Sequence, residues 1–251
     1  MDARDVDSLE RATVQAVSPE FVDDGVPGWL LPMDHGTVGR AQCAVPLRHD
    51  APDVGAIDDI LARYASRGFT PAWRLPDLPS FDAFFQALSE RGFRRALPTQ
   101  TQVGDIATVL HAIPEALVPG RELHLDEAPT AAWMTMFLGE GLDPVDGASR
   151  SRALARAQGT LFASLLEHGE TLACGAASYS HGWLGVHGMR TAASQRGRGM
   201  AGAVLNAMAR EARRRGIERV FLQVTAHNTP ALALYRRAGF SLAWPYAYWR
   251  R

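Results

Sequence analysis

The sequence predicts an α/β (α+β) fold in two related parts, each a mixed, mostly antiparallel sheet flanked by helices. Three observations predict it. Strand-like and helix-like stretches alternate along all 251 residues. Two segments of the first half recur, in the same order, in the second half. Three runs between Thr160 and Ala193 read as consecutive antiparallel strands, with Glu167-His168-Gly169 and Ser180-His181-Gly182 at the turns.

The elements follow in order. Residues 1–20 are a polar start compatible with one helix. GWLLPMDHGTVGRAQCAVPL (28–47) reads as two strands joined at Asp34-His35-Gly36. DAPDVGAIDDILARYASRGF (50–69) reads as a helix, because Val54, Ile57, Ile60, Leu61 and Tyr64 recur at helical spacing and Gly68 sits at its end. PAWRLP (71–76) is a short strand and SFDAFFQALSERGF (80–93) a second helix. PTQTQVGDIATVL (98–110) reads as a strand and turn. PEALVPGRE (114–122), rich in Pro and Gly, marks a boundary near 112–121. Then come a strand at ELHLDE, helices at APTAAWMTMFLGEG and SRSRALARAQ, and the three antiparallel strands. A helix from about Gly199, the strand VFLQV (220–224), the helix TPALALYRRAGF and the strand SLAWPYAYWRR complete the chain.

The recurrence is specific. ARYASRGFTPAWRL (62–75) parallels AREARRRGIERVFL (209–222), and FFQALSERGF (84–93) parallels ALALYRRAGF (231–240). Gly68 and Gly216 lie 148 residues apart, Gly92 and Gly239 147 apart. Two echoes at nearly one offset imply two related domains, residues 1–115 and 116–251.

Composition narrows the function. Hydrophobic residues make up 47% and charged residues 21%, as in a soluble protein with a real core. Lys and Arg total 26 against 27 Asp and Glu, so no net charge draws the chain to nucleic acid or an anionic membrane. No apolar run reaches the roughly 18 residues of a membrane span, and the start MDARDVDSLERATVQ has no apolar leader core. Cys43 and Cys174 are far apart and fit no metal-ligand spacing; they read as reduced core thiols of a cytoplasmic protein.

The chemistry concentrates in SQRGRGMAGAVLNAMAREARRRG, Ser194 to Gly216. A helix start presents unpaired N–H groups and partial positive charge, a ready anion site. Glycines bring backbone close to a phosphate, and Gln195, Arg196 and Arg198 add donors. The plain alternative is a surface loop. The pattern lacks the lysine of a P-loop and the first-strand position of a dinucleotide fold. Beyond the loop, Met200, Val204, Leu205, Met208 and Ala212 form an apolar stripe, with Arg210, Arg213 and Arg214 on the other side. A second stretch, HNTPALALYRRAGF (227–240), follows a strand. Thr229 suits an N-cap, Pro230 the first helical position, and Tyr235 lies inside the helix.

Together these stretches resemble the GNAT acetyltransferase superfamily over about residues 120–251. Arg196-x-x-Gly199-x-Ala201 resembles its acetyl-CoA loop, [QR]-x-x-G-x-[GA]. Asn228, Ala231, Leu234, Tyr235, Gly239 and Phe240 resemble its next motif, and order and spacing agree. The resemblance implies an N-acetyltransferase that takes acetyl-CoA as co-substrate, needs no metal, and moves the acetyl group to an amine by direct attack in a ternary complex. It implies that Arg196, Gly197, Arg198, Gly199, Met200 and Ala201 hold the pyrophosphate. The strand His187–Thr191, with Met189 and Thr191, would bind the pantetheine arm, and an amide near Met189 would polarise the thioester carbonyl. Asn228 would touch the pantetheine and Tyr235 would protonate the departing thiolate. Packing alone is the other reading of Tyr235.

A base is less legible. WLGVHGMRT carries no carboxylate, so His187 is the candidate, with a structural histidine as the alternative. Alternation puts His187, Met189 and Thr191 on one strand face. Glu140, Asp143 and Asp146 sit in a loop that either binds a cationic amine or is simply solvated. Trp133, Tyr246 and Tyr248 line the acceptor pocket or pack.

Counting back from each Gly-Phe sets Leu88 against Tyr235 and Phe81 against Asn228. The loop LRHDAPDVG carries Pro52 and Asp53 where the arginine–glycine pattern would be. The first half is therefore expected to be a degenerate, non-catalytic GNAT-like domain that covers sheet surface or shapes the acceptor pocket, with an unrelated extension as the alternative. The acceptor is a small-molecule or peptide amine; nucleic acid and membrane are not expected partners, and the chain acts as a monomer or homodimer. A CoA-binding sensor without catalysis is one rival. A transferase for longer acyl groups, admitted by Gly185 and Gly188, is another.

Overall fold

The computed structural model describes residues 1–115, 119–138 and 143–251. Helix α1 (Ala3–Gln15) opens the chain, held by a reciprocal capping box between Asp2 and Asp5. Strands β1 (Phe21–Asp23), β2 (Trp29–Met33) and β3 (Val45–Pro46) form a small antiparallel sheet. Then come α2 (Ala56–Ser66), β4 (Trp73–Pro76), α3 (Asp82–Glu90), β5 (Arg94–Asp105) and α4 (Ile106–Ala112). The second half holds β6 (Arg121–Asp126), α5 (Ala131–Leu138), α6 (Pro144–Arg156), β7 (Thr160–Glu167), β8 (Glu170–Ser180) and β9 (Trp183–Thr191). It ends with α7 (Met200–Arg214), β10 (Arg219–Thr225), α8 (Thr229–Arg237) and β11 (Ser241–Arg250).

Eight strands from both halves form one sheet in the order β4-β11-β5-β10-β9-β8-β7-β6. Every neighbouring pair is antiparallel except β9 and β10. The expected fold class is present, and the echo has a structural meaning. Helices α3 and α8 have equal length at the 147-residue offset, and so do the starts of β5 and β11. The segment β4-β11-β5-β10 reads the same when the halves are exchanged, because each half's last strand lies beside the other half's β4 or β10. Ala44 makes a parallel bridge to Trp73, the counterpart of the β9–β10 pairing.

The sheet buries both faces. Against one face pack α4, α7 and α8; Met200, Val204, Leu205, Met208 and Ala212 of α7 are all buried, as their spacing predicts, against Leu184, Val186, Val220 and Leu222. Against the other pack α1, through Val6, Leu9 and Ala12 on Trp183, Phe221 and Trp244, and α5 with α6, through Trp133, Phe137 and Leu154 on Phe162, Cys174 and Ala176. In the first half Ile57, Ile60 and Tyr64 of α2 meet Trp73, Phe84 and Trp249. Glu10 of α1 and Arg74 of β4 form a fully buried ion pair through both guanidinium Nη atoms. Arg74 also lies 5.2 Å from the Tyr246 ring.

Some elements differ from expectation. β5 begins at Arg94 rather than near Pro98: the proline sits where the β5–β11 register slips, between the pairs Tyr246–Thr99 and Tyr248–Ala96, so its missing N–H costs no ladder bond. Residues 106–112 are helix, capped by the Asp105 carboxylate on the Thr108 N–H at 3.0 Å. β1 is a three-residue strand with no buried residue to mark it. Both cysteines are buried and free. Among the described residues no helix is long and apolar enough to cross a membrane.

Candidate active site

The two parallel strands create the site by parting. β9 and β10 are paired from Trp183–Arg219 to Val186–Leu222 and no further. Beyond that point β10 stays with β5 and β9 stays with β8, so a cleft opens at His187 and Gln223.

At the mouth of the cleft β9 carries a bulge. Cys174 pairs with Arg190 and Ala176 with His187, so Gly188 and Met189 together oppose Gly175. Gly188 takes the left-handed conformation (φ 58°) that the extra residue requires. The Gly175 carbonyl accepts from the Trp133 indole N–H at 3.1 Å. A bulge leaves one amide out of the ladder and re-aims the side chains after it. The single-face alternation expected for His187 and Met189 is accordingly broken. His187 lies with Phe221 on the α1 side, whereas Met189 packs into the α7 core. Arg190 turns back over the Phe137 ring, 4.4 Å from its centroid.

Next along the chain, residues 193–195 make a single 3-10 turn and Arg196 is extended. Gly197 (φ 75°) and Gly199 (φ 81°) are both left-handed, and Gly199 caps α7 with no side-chain hydrogen bond to the first-turn amides. A Cβ on either glycine would meet no atom within 4 Å. Conformation, not crowding within the chain, requires these glycines, and the space above them is open. Uncapped amides with room before them and Arg196 and Arg198 alongside fit an anion such as a pyrophosphate.

Helix α8 follows β10 after a short turn. Its N-cap is Asn228 rather than Thr229, with the side-chain oxygen accepting from the Ala231 N–H at 3.2 Å. The cap consumes the acceptor of that amide and leaves its NH2 group outward. Tyr235 is buried beside Phe240, ring centroids 5.6 Å apart, and burial pushes its phenol up to about 12. It is therefore a neutral donor at any ordinary pH.

His187 is buried with both ring nitrogens engaged. Nε2 lies 3.0 Å from Ser178 Oγ, and Nδ1 lies 3.0 Å from Nη1 of Arg40. Arg40 Nη1 also donates to Gln223 Oε1 at 3.0 Å. A guanidinium only donates, so Nδ1 is the acceptor and Nε2 carries the ring proton. Burial first, then the Arg40 charge, hold the ring well below the usual histidine range. The lone pair a base would use is already committed to Arg40, which is the physical objection to the expected base role.

A cavity of about 170 Å³ opens beside the bulge, lined in part by Val38, Arg40, Arg150, Leu154, Met189 and Arg190. Two of these belong to the first half. Arg40 was invisible in the sequence, where TVGRAQ carries no motif. Gly188, a glycine inside a strand pattern, was the available signal for the bulge. Of the acidic loop, Glu140 lies outside the described residues. Asp143 caps α6 through the Val145 and Asp146 amides, and Asp146 is bound by Arg150 at 2.6 Å and Thr37 Oγ1 at 2.7 Å. Trp133 is fully buried in the α5–α6 core, and Tyr246 and Tyr248 are buried in the sheet.

The wall of this cavity depends on a close helix approach. A Cβ on Gly147 of α6 would run into the Phe137 carbonyl oxygen of α5. Gly147→Ala should therefore lower stability by about 1–3 kcal/mol as α5 and α6 are pushed apart. A urea melt checks this, with Ala148→Gly as the control for helix propensity.

Parting parallel strands, a β9 bulge and an open arginine–glycine loop at a helix start are the features of a GNAT-type fold. The chain belongs to the probable histone acetyltransferase Rv0428c C-terminal family, whose family model matches residues 3–249. It is 28% identical over 118 residues to the uncharacterized N-acetyltransferase YobR of Bacillus subtilis (strain 168), a match covering 46% of this chain and 48% of that protein. The chain thus spans about half the length of that relative. Among solved structures, a GCN5-related N-acetyltransferase from Kribbella flavida superposes with TM-score 0.69 at 14% identity, covering 97% of this chain and 94% of the other. A tandem GNAT protein from the clavulanic acid biosynthesis pathway gives 0.62 at 12%, covering 99% and 96%.

Proposed function

We propose that the chain transfers an acetyl group from acetyl-CoA to a primary amine by direct attack in a ternary complex. The open loop at Gly197 and Gly199, beside the cleft between β9 and β10, is the observation that carries this reading. The amides of Met200 and Ala201, with Arg196, Gly197, Arg198 and Gly199, cradle the pyrophosphate. The β9 edge to Thr191 and the outward NH2 of Asn228 meet the pantetheine. Acetyl-CoA, when bound, supplies the activated acyl carbon. The amide freed by the bulge, at Met189, donates to the carbonyl oxygen as negative charge develops there. As the amine nitrogen bonds to that carbon and the carbon–sulfur bond breaks, Tyr235 gives its hydroxyl proton to the sulfur. The amine's own proton is lost to solvent, and Tyr235 regains a proton from solvent before the next turnover. His187 acts as a positioning residue that holds Arg40.

The first half, 1–115, is a GNAT-like domain without catalysis. Phe81 and Leu88, at the places of Asn228 and Tyr235, are fully buried, and an aspartate, Asp53, stands just before α2. Its Val38 and Arg40 complete the acceptor cavity of the second half.

Calorimetric titration of acetyl-CoA should show one site per chain. Gly199→Trp, which fills the open space and strains a left-handed residue, should abolish it. No binding to the unmodified chain overturns the reading.

A further inference from the structure

We infer that the acceptor carries a carboxylate close to its amine, bound by Arg40 and Arg190 in the cavity beside the β9 bulge. The inference rests on the acetyltransferase reading and names its substrate class. Arg40 is anchored by one nitrogen, Nη1, to His187 and Gln223, neither of which offers a negative charge. Its other N–H groups have no hydrogen-bond partner among the described residues. Arg190 is half-buried with its guanidinium over Phe137 and no ion pair among the described residues. Arg150 is matched by Asp146, and Asp146 is already used by Arg150 and Thr37. Two arginines therefore bring uncompensated positive charge to one small cavity. Cations held away from water without a counter-charge are costly, and a bound anion offsets that cost.

Geometry selects the kind of anion. The planar guanidinium forks match a carboxylate with two parallel hydrogen bonds. At about 170 Å³ the cavity has the room of roughly five or six waters at ~30 Å³ each, enough for a short amino acid backbone. Gly188 and Met189 border the same space, so an anion on the arginines leaves the amine a few bonds away, beside the bulge. The same charge opposes a lysine-rich peptide, whose side chains would enter a cavity already positive. The family's description is that of a probable histone acetyltransferase, so a histone-tail peptide is included in the test.

The test uses the full chain and acceptor pairs that differ only in the anion. Glycine, β-alanine, the other α-amino acids and their amides are compared with phosphoethanolamine and a lysine-rich histone-tail peptide. Free CoA released is the readout. The expected result is at least one carboxylate acceptor with kcat/KM about tenfold or more above its amide, from lost charge-assisted hydrogen bonds. Arg190→Met, and separately Arg40→Met, should bring that ratio toward one; Arg40 holds His187 and Gln223, whereas the Arg190 guanidinium has no hydrogen-bonded or ion-pair partner among the described residues, so its variant keeps the test alive if Arg40→Met misfolds. Equal or better use of amides or of the histone peptide overturns the inference. So does preference for phosphoethanolamine, or no turnover of any carboxylate acceptor by a chain that binds acetyl-CoA. Absence of acetyl-CoA binding instead overturns the acetyltransferase reading itself.

Discussion

Tyr235→Phe should lower kcat for acetyl transfer about a hundredfold or more, the scale of a lost general acid. The affinity for acetyl-CoA, read by calorimetry, should stay within a few-fold, because the ring and its packing on Phe240 remain. The proton transfer is balanced by burial. A free thiol titrates near ~8.5, too acidic to draw a proton from a phenol at about 12. Surroundings as dry as those of Tyr235 raise a thiol in the same direction, which brings the two groups closer. Unchanged kcat in the variant would remove the hydroxyl from the mechanism. The pH dependence has a definite sign. Tyr235 keeps its proton past pH 10, so it sets no alkaline limit on the rate in the ordinary range. Between 10.0, its unperturbed value, and about 12, the unfolded chain has lost a proton that the folded chain holds, so its contribution to stability falls as pH rises. His187, held below its usual range, gives no inflection near 6.5.

Glu10→Ala should destabilise the fold by about 3–5 kcal/mol, because it strands the Arg74 guanidinium without its partner. That is a large part of the roughly 5–15 kcal/mol by which domains are stable. The substitution also loosens α1, whose Val6, Leu9 and Ala12 cover Trp183, Phe221 and Trp244. Replacing both partners, Glu10→Met with Arg74→Leu, should restore most of the loss, since an apolar pair needs no desolvation of charge. Equilibrium urea melts distinguish the cases. A single variant costing under about 1 kcal/mol would mean that water reaches Arg74, as it does for surface pairs.

The sequence was informative where function or packing is local. The glycines at 197 and 199 marked a helix start where backbone can approach a phosphate. The apolar stripe of α7 was readable from its spacing, and the 147-residue echo identified α3 with α8. It was silent where the site is made by distant residues. Arg40 meets His187 and Gln223 across 147 and 183 positions, and nothing near it marks a guanidinium bound for the core. The alternation rule failed at Gly188, where one extra residue turned Met189 away from His187. Pro98 concealed the first turns of β5, because a proline at a register slip looks like a strand's start.

The crossed placement of β5 and β11 makes the molecule, in effect, a dimer written as one polypeptide. Each half extends an arm that the other completes, and the linker spares the translational and rotational loss of bringing two subunits together. Dilution cannot separate the arms, since their effective concentration is set by the chain itself. A twofold assembly of identical copies must preserve the same residues on both sides. Covalent joining lifts that constraint. The first half buries Phe81 and Leu88 at the positions that match Asn228 and Tyr235, and its Arg40 reaches His187 and Gln223 of the second.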